Sequence, residues 1–457
     1  MATPQHEVTS ATPASTSPTA IRVALLGCGV VGTEVVRLLT TQRDDLTARI
    51  GATPELVGIA VQNLETERDP IIDRSLLTTD AEDLVTRADI VVEVMGGLDT
   101  AGPLLHRAIS HGAAVVTANK ELLAKQGADL HNAADAAGVD LYFEAAVAGA
   151  IPLIRPVRES LAGDRIDRIL GIVNGTTNYV LDQMTKTGAN FDDVVAEAQR
   201  LGYAEADPTA DVGGHDAAAK AAILASLAFH THVTASDVSC EGITGITAED
   251  VKWSKETGHV IKLLAIAERI KNNGTEAVSV RVHPALVPNS HPLANVDGAF
   301  NAVFIEAQAA GPLMFYGQGA GGAPTASAVV GDLVSAARHR VLGGTGPQRS
   351  SYAEIPILPA GEVRTHFQLR LRVADEPGVL AQVSQQLAEQ QVSIETVRQI
   401  LDQRPLDERA AESETPTAEL VVTTHEASEA ALAQTVEALE GLDVVTKIIS
   451  ILRVEGA

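Results

Sequence analysis

Cysteine is nearly absent. Cys28 and Cys240 are the only two in 457 residues, too few to staple a chain of this length, and such scarcity points to a reducing compartment, the cytoplasm. Aromatic residues make up 3%, too sparse for the stacking platforms that hold single-stranded nucleic acid. Positive charge is also short: 34 Lys and Arg against 59 Asp and Glu leave a formal net charge of −25. That balance repels phosphate backbones and anionic headgroups, so nucleic acid and membrane surfaces are poor partners. No stretch approaches the roughly 18 apolar residues that span a bilayer, and the chain reads as soluble. What is plentiful is apolar side chain, 45% of residues, which excludes whole-chain disorder. At roughly 150 residues per domain the length corresponds to about three cores.

Met1 to Ala20 is mostly Thr, Ser, Pro and Ala, without Lys, Arg or an apolar stretch, the composition of a disordered tail rather than a signal or transit peptide. From Ile21, apolar runs at Ile21–Leu26, Leu56–Val61, Ile90–Val94, Ala113–Thr117 and Val139–Phe143 alternate with helical stretches. That rhythm predicts an α/β unit over 21–150 with a Rossmann-like parallel sheet. Residues 151–340 read as a second, α+β unit, with strands expected at Arg168–Val173 and Ala302–Ala307 and a buried helix, apolar almost all round, at Ala217–Phe229. Gly343, Gly344, Gly346, Pro347, Pro356 and Pro359 mark 341–361 as a linker. In 362–457, Phe367, Leu369, Leu371 and Val373 alternate with polar residues as a half-buried strand does. A helix at Val379–Gln390, strands at Val392–Ile400 and Ala418–Thr424, a helix at Ser428–Glu440 and a strand at Val444–Val454 complete a βαββαβ, ferredoxin-like order. Leu401–Thr417, charged and holding two prolines, is expected to be a mobile loop.

Gly27-Cys28-Gly29-Val30-Val31-Gly32 follows a strand and opens a helix. In that context the glycines let the backbone approach a pyrophosphate, and the helix N-terminus supplies amides and partial positive charge. A Gly-rich turn without a ligand is the alternative. The second strand runs into Gln62-Asn63, so no carboxylate waits there for the ribose 2′-OH of NAD, while Arg68 follows a few residues on. NADP is favoured over NAD. Asn119 is placed to cap the helix after Ala113–Thr117, which puts Lys120 where the helix dipole disfavours a cation and calls for a partner. At the carboxyl end of a strand it faces the ligand crevice, unless it is an ordinary surface lysine.

The densest signal runs from Glu205 to Lys220. Asp216 and Lys220 are four apart, on one face of the apolar helix. Lysine there is costly unless paired, so the two form either an internal salt bridge or a proton-transfer site. Glu205, Asp207 and Asp211 offer carboxylates for an ammonium group or a metal; with His215 as the lone histidine among them, a transition metal is the weaker option. Asn174 to Asn178 is a polar turn after another strand. Gly317 to Thr325 is a second Gly-rich stretch, a close-packed crossover or a lid on the cofactor.

In order and spacing, GCGVVG, Ala118-Asn119-Lys120, Glu144 through Pro152, NGTTN at 174–178, the 205–220 segment and Glu241-Gly242-Ile243 resemble homoserine dehydrogenase, over roughly Ile21 to Arg340. The tail, with Asp375 to Leu380 between its first strand and helix, resembles an ACT regulatory domain. The resemblance implies reversible NAD(P)-dependent conversion of L-aspartate 4-semialdehyde to L-homoserine, toward threonine and methionine, with 151–340 as catalytic and dimerisation domain. It implies Lys220 as proton donor, Lys120 as cofactor and substrate contact, and Glu205 and Asp216 as substrate ligands. It implies Gly27, Gly29, Val30, Val31 and Gly32 on the dinucleotide, with Gly202 and Gly317, and Na+ or K+ held at Glu144, Val147, Gly149 and Ile151. A homodimer or homotetramer and an amino-acid effector, L-threonine, at Asp375–Leu380 are further implications. The sequence departs from the family at Gln62, Asn63, His215 and Ala219, and carries Ser393 where an effector-binding asparagine is common. Rival readings are a non-catalytic dinucleotide and amino-acid sensor, or a dehydrogenase of another amino-acid semialdehyde. Because 205–220 lies upstream of the linker, truncation near Gly361 is expected to leave an active dehydrogenase that has lost inhibition by threonine.

Overall fold

The computed structural model describes residues 20–272, 274–347, 353–401 and 416–456. Residues 1–19 of the expected tail, 348–352 of the expected linker and most of the expected mobile loop, 402–415, lie outside them.

The first region runs β1 (Ala20–Leu26), α1 (Val30–Thr41), α2 (Arg43–Ile50), β2 (Thr53–Ala60), β3 (Leu77–Thr78), α3 (Ala81–Thr86), β4 (Ile90–Glu93), α4 (Ala101–Ser110), β5 (Ala114–Thr117), α5 (Lys120–Ala137) and β6 (Leu141–Tyr142). Its six strands are all parallel, in the order β3-β2-β1-β4-β5-β6. This is the Rossmann-like sheet. Every residue of β4 and β5 is buried, because helices cover both faces, and such strands read as unbroken apolar runs. The strand order reverses between β1 and β4, which opens the ligand crevice at their carboxyl ends. Two-residue β3 was not anticipated, being too short to carry a period.

The second region runs β7 (Ile166–Ile172), α6 (Gly175–Thr187), α7 (Phe191–Leu201), α8 (Thr209–Val212), α9 (His215–Phe229), β8 (Ser239–Cys240), α10 (Ala248–Glu256), β9 (His259–Asn272), β10 (Thr275–Pro288), β11 (Phe300–Ala307), β12 (Gly311–Gln318) and α11 (Gly322–Leu342). The apolar α9 packs on β9 and β10 on one side and on α5 on the other, so both of its faces are covered. The β9–β10 hairpin pairs without a break from Asn272↔Thr275 to His259↔Pro288. It escaped the sequence reading because β9 mixes strand-favouring Val and Ile with Leu, Ala, Lys and Glu, which favour a helix; the Asn273-Gly274 dipeptide was the signal that marks it. α11 returns to the first region, where Ala326, Val329, Leu333 and Ala337 join Val23, Leu25, Val35 and Leu39 in one buried cluster. A helix some 200 residues downstream of β5 by chain position therefore completes the core of the first sheet.

The third region runs β13 (Arg364–Ala374), α12 (Val379–Glu389), β14 (Ile394–Leu401), β15 (Thr417–Thr424), β16 (Ala427–Ser428), α13 (Glu429–Glu440) and β17 (Val445–Val454). Its main strands lie in the antiparallel order β17-β13-β15-β14, the ferredoxin-like arrangement expected. The unit is not detached. β17 pairs in parallel with β10 at Ala285↔Arg453 and Leu286↔Val454, so the second and third regions share one 11-stranded sheet. Pro284, which has no N–H to donate, falls between the β10 residues paired with β8 (Arg281, Val282) and those paired with β17. Just past β17, buried Glu455 accepts from Arg281 Nη2 at 3.0 Å and pairs with Arg168. Burial opposes its charge, but Arg281, His283 and Arg168 outweigh that and hold its carboxyl well below the usual range. A second contact joins Arg370 Nη1 to Asp250 at 3.1 Å, with Trp253 of α10 beneath the guanidiniums of Arg370 and Arg398. Part of the expected linker is laid on β10, Val278 N donating to Pro356 O and Leu358 N to Val278 O.

Candidate active site

Three glycines of the first turn do three jobs. Gly27 has φ 100, and a Cβ there would stand 2.9 Å from Met95 Cα; a Cβ on Gly32 would stand 2.3 Å from the Gly27 carbonyl; a Cβ on Gly29 would meet nothing within 4 Å. Tight turn, helix–strand contact and open approach are the features a pyrophosphate cradle requires. α1 starts directly after Gly29 with no side-chain cap and no acidic residue in its first turn, which leaves its amides available to an anion. Val30, beside them, is 76% exposed. Arg68 folds back onto this turn, Nη1 donating to Cys28 O at 2.8 Å and Nη2 to Asn63 O at 3.2 Å. Its buried Nε has no hydrogen-bond partner among the described residues. A Cβ on Gly322 would come within 2.7 Å of Val30 Cγ1, so the second Gly-rich stretch closes directly against the start of α1.

Across the crevice, Asn119 caps α5: its Oδ1 accepts from Leu122 N, and its Nδ2 donates to Gly97 O at 2.6 Å. The cap sets Lys120 at the first helical position, where the ammonium pairs with Asp216 Oδ1. Asp216 Oδ2 accepts from Lys220 Nζ at 2.7 Å and Asn174 Nδ2 at 2.9 Å. Lys220 Nζ also donates to Val173 O at 2.7 Å. Asn174 Nδ2 donates as well to Asp211 Oδ1 at 2.7 Å, so one amide ties together the two acids on either side of the 212–215 turn. Burial works against the charge of Asp216, 7% exposed, yet Lys220 and Lys120 hold its carboxyl far below the ordinary value. For Lys120 burial likewise opposes the charge, and Asp216 with Asp211 behind it raises the pKa above that of a free lysine. Lys120, Lys220, Gly96, Gly97, Gly149 and Gly319 line one open cleft.

The other expected residues take no part in that cluster of hydrogen bonds. Glu205 is exposed in the α7–α8 connection, and its carboxylate takes part in none of the described hydrogen bonds or ion pairs. Asp207 accepts from Thr209 N and Oγ1, its own turn. Gly202 is the left-handed cap of α7, φ 80. Gly317 sits against Ile151, whose Cγ1 would be 3.2 Å from a Cβ there. The Glu144 carboxylate, 1% exposed, accepts from the amides of Leu153, Ile154 and Arg155 at 2.5, 2.6 and 3.0 Å and from Arg155 Nε at 3.1 Å. Its amide donates to Asp332 Oδ2; burial, with Glu144 nearby and against Arg155, pushes the Asp332 carboxyl up to about 7. After Glu144 the chain turns through Ala148 (φ 59) and Gly149 (φ 57), and none of the described hydrogen bonds ends on the carbonyls of Val147, Gly149 or Ile151. Those carbonyls fit a cation better than the saturated Glu144 carboxylate does. The sequence reading missed Glu93, whose Oε1 accepts from Met95 N and Gly96 N and Oε2 from Thr117 Oγ1 at 2.6 Å, ordering the loop after β4. A carboxylate ending an apolar strand was its signal.

Comparison with known proteins is consistent across the chain. Residues 27–144 match the family described as homoserine dehydrogenase, NAD binding domain, and residues 152–334 the family described as homoserine dehydrogenase. The homoserine dehydrogenase of Corynebacterium glutamicum is 53% identical over 98% of this chain and 100% of its own. A crystal structure of a homoserine dehydrogenase from Thiobacillus denitrificans superposes with TM-score 0.86 at 41% identity, covering 96% of this chain and 98% of that one. A hyperthermophilic archaeal homoserine dehydrogenase in complex with NADPH superposes with TM-score 0.59 at 25% identity, covering 72% of this chain and 100% of that one.

Proposed function

The chain belongs to the homoserine dehydrogenase family, and from that premise we propose how its residues divide the work. It is an NAD(P)-dependent oxidoreductase that interconverts L-aspartate 4-semialdehyde and L-homoserine. When bound, the nicotinamide supplies or accepts the hydride at the substrate carbon. Lys220 delivers the proton to the carbonyl oxygen in the reductive direction and takes it back in the oxidative one. Val173 O and Asp216 Oδ2 occupy two of its three N–H bonds, which leaves the third for the substrate. Lys120 lends positive charge to the developing alkoxide and touches the cofactor. Asp216 holds both ammonium groups and the substrate, and Glu205, whose carboxylate has no partner among the described residues, takes the substrate ammonium.

The observation that carries this reading is the convergence of Lys120 and Lys220 on one buried carboxylate at the crevice. Lys220→Ala is the test: kcat should fall more than about tenfold, above roughly 1.4 kcal/mol of barrier, with dinucleotide affinity held within about twofold. Retention of more than a tenth of kcat would remove the acid role.

The dinucleotide contacts are Gly27, Gly29, Val30, Val31 and Gly32, with Gly202 and Gly317 at the margin, and Arg68 selects NADP through its 2′-phosphate. The relative with bound NADPH supports that choice. A monovalent cation, Na+ or K+, is held by the carbonyls of Glu144, Val147, Gly149 and Ile151. The C-terminal unit is an ACT domain that binds L-threonine at Asp375–Leu380, where Gly378 (φ 97) precedes α12 and no acidic residue stands in the first turn. Two copies pair through β14, the end strand of the sheet, because unpaired strand edges seek partners. Two free cysteines support the cytoplasm as location.

A further inference from the structure

The turn between Asp211 and Asp216 carries the electrostatics of the site, and it does not stand alone. Gly242 presses on it so closely that a Cβ there would lie 2.2 Å from Val212 O and 2.7 Å from Gly213 Cα. Gly214, φ 84 at the start of α9, would drive a Cβ to 2.9 Å from Cys240 Sγ. Ile243 N donates to Val212 O at 2.8 Å, and Glu241 N donates to Val282 O at 2.8 Å. Residues 240–243 are thus clamped between β10 and the turn that sets Asp216. The side chain of Glu241 points away from the site, to the third region: its Oε2 accepts from Arg453 Nη1 at 2.6 Å. Arg453 is fixed from behind, because Glu429 takes its Nε and Nη2 at 2.5 and 3.1 Å. Its backbone pairs with Ala285 of β10. A bidentate guanidinium held at both ends is a rigid strut.

We propose that Glu241 and Arg453 are positioning residues for homoserine oxidation: through them the last strand of the C-terminal unit braces the Asp211–Asp216 turn and so sets the substrate end of the site. The inference rests on the reading of Asp216 and Lys220 as the substrate site. Neither Glu241 nor Arg453 touches a reacting group. Both act through Gly242 and the 212–214 backbone, which has no side chain at Gly213 or Gly214 to absorb a shift. The cofactor turn at Gly27–Gly32 lies on the first sheet and is not part of this linkage.

Steady-state kinetics of the full chain test it. Glu241→Gln and Arg453→Met should each raise KM for homoserine at least about fivefold, with KM for the nicotinamide cofactor and kcat within about twofold of the parent. The double variant should be no more than about twofold worse than the worse single one, since both break one link. Arg453→Lys should recover part of the loss, and Glu429→Gln, which loosens Arg453 from behind but spares the Glu241 contact, should raise the homoserine KM by less than E241Q does. Thermal melting keeps the comparison to folded enzyme, and E241Q preserves shape if R453M fails to fold. A homoserine KM unchanged in E241Q, equal rises in both KM values, or an effect of E429Q as large as that of E241Q would overturn the inference. D216N separates the two levels. If it keeps parent constants, the site reading itself falls and takes the inference with it; if it loses activity while E241Q does not, the inference alone falls.

Discussion

Asp216 and Lys262 are both buried, and the difference between them lies in what faces each. Asp216 meets two ammonium groups and an amide, so its charge is retained. Lys262, 3% exposed on β9, meets neutral acceptors, Val296 O at 2.6 Å and Asn178 Oδ1 at 3.1 Å. The nearby carboxylates, Asp182 and Asp297, are taken by Lys186 at 2.9 and 3.0 Å. Burial pushes Lys262 down to about 8 from 10.5, with Asp182 and Asp297 resisting. The unfolded chain therefore binds a proton between pH 8 and 10.5 that the native chain has released, and this residue's contribution to stability rises with pH across that window. Below pH 8 the native state bears the full cost of the buried charge. In Lys262→Met that rise should disappear: denaturant titrations at pH 8 and pH 10 should show a smaller gain in the variant than in the parent. An equal gain would place the charge elsewhere. Single residues were legible where chemistry was local. Lys120 at a helix start demanded a partner, but the partner, Asp216, is 96 residues away, and no period in the sequence names it.

Among elements, those whose ends carry the function were the easiest to read. The turn into α1 and the cap of α5 follow from glycine, asparagine and the geometry of a helix start. Arg68 belongs to the same scale, since the β2–β3 connection brings it back over the Gly-rich turn. Arg68→Ala should lower the NADP over NAD preference in kcat/KM at least about tenfold by weakening NADP, with NAD nearly unchanged, as loss of a charge-assisted phosphate contact would. Side-by-side assays with both cofactors decide it; an equal loss for both would leave Arg68 as a brace for the turn. The long β9–β10 hairpin was missed although β10 carries a period-2 run, Val278-Ser279-Val280-Arg281-Val282-His283: its polar members Ser279, Arg281 and His283 are buried as well, and β9, its partner, carries no such alternation.

At the scale of the whole molecule the shared sheet changes what a truncation means. Ending the chain at Gly361 would remove β17 from β10, leave Arg281 and Arg168 without Glu455, and strip Asp250 of Arg370. Glu268 still pairs with Arg281 and Arg168, so the main cost is the buried edge of β10 and the core behind it laid open to water. The truncated chain should therefore melt well below the full chain, a cost that the position of the linker alone does not indicate. Equal melting temperatures, with parent homoserine turnover, would show that the shared sheet contributes nothing. The sequence by itself determined the parallel first sheet, the pyrophosphate turn, the Asp216–Lys220 spacing and the βαββαβ order, because buried strands, glycine turns and the i,i+4 face of a helix are properties of neighbouring residues. Only the tertiary structure decided that Lys120 meets Asp216, that α11 fills the first core and that β17 continues β10. Those contacts join residues far apart in the chain, and side-chain packing, which leaves no local period, selects them.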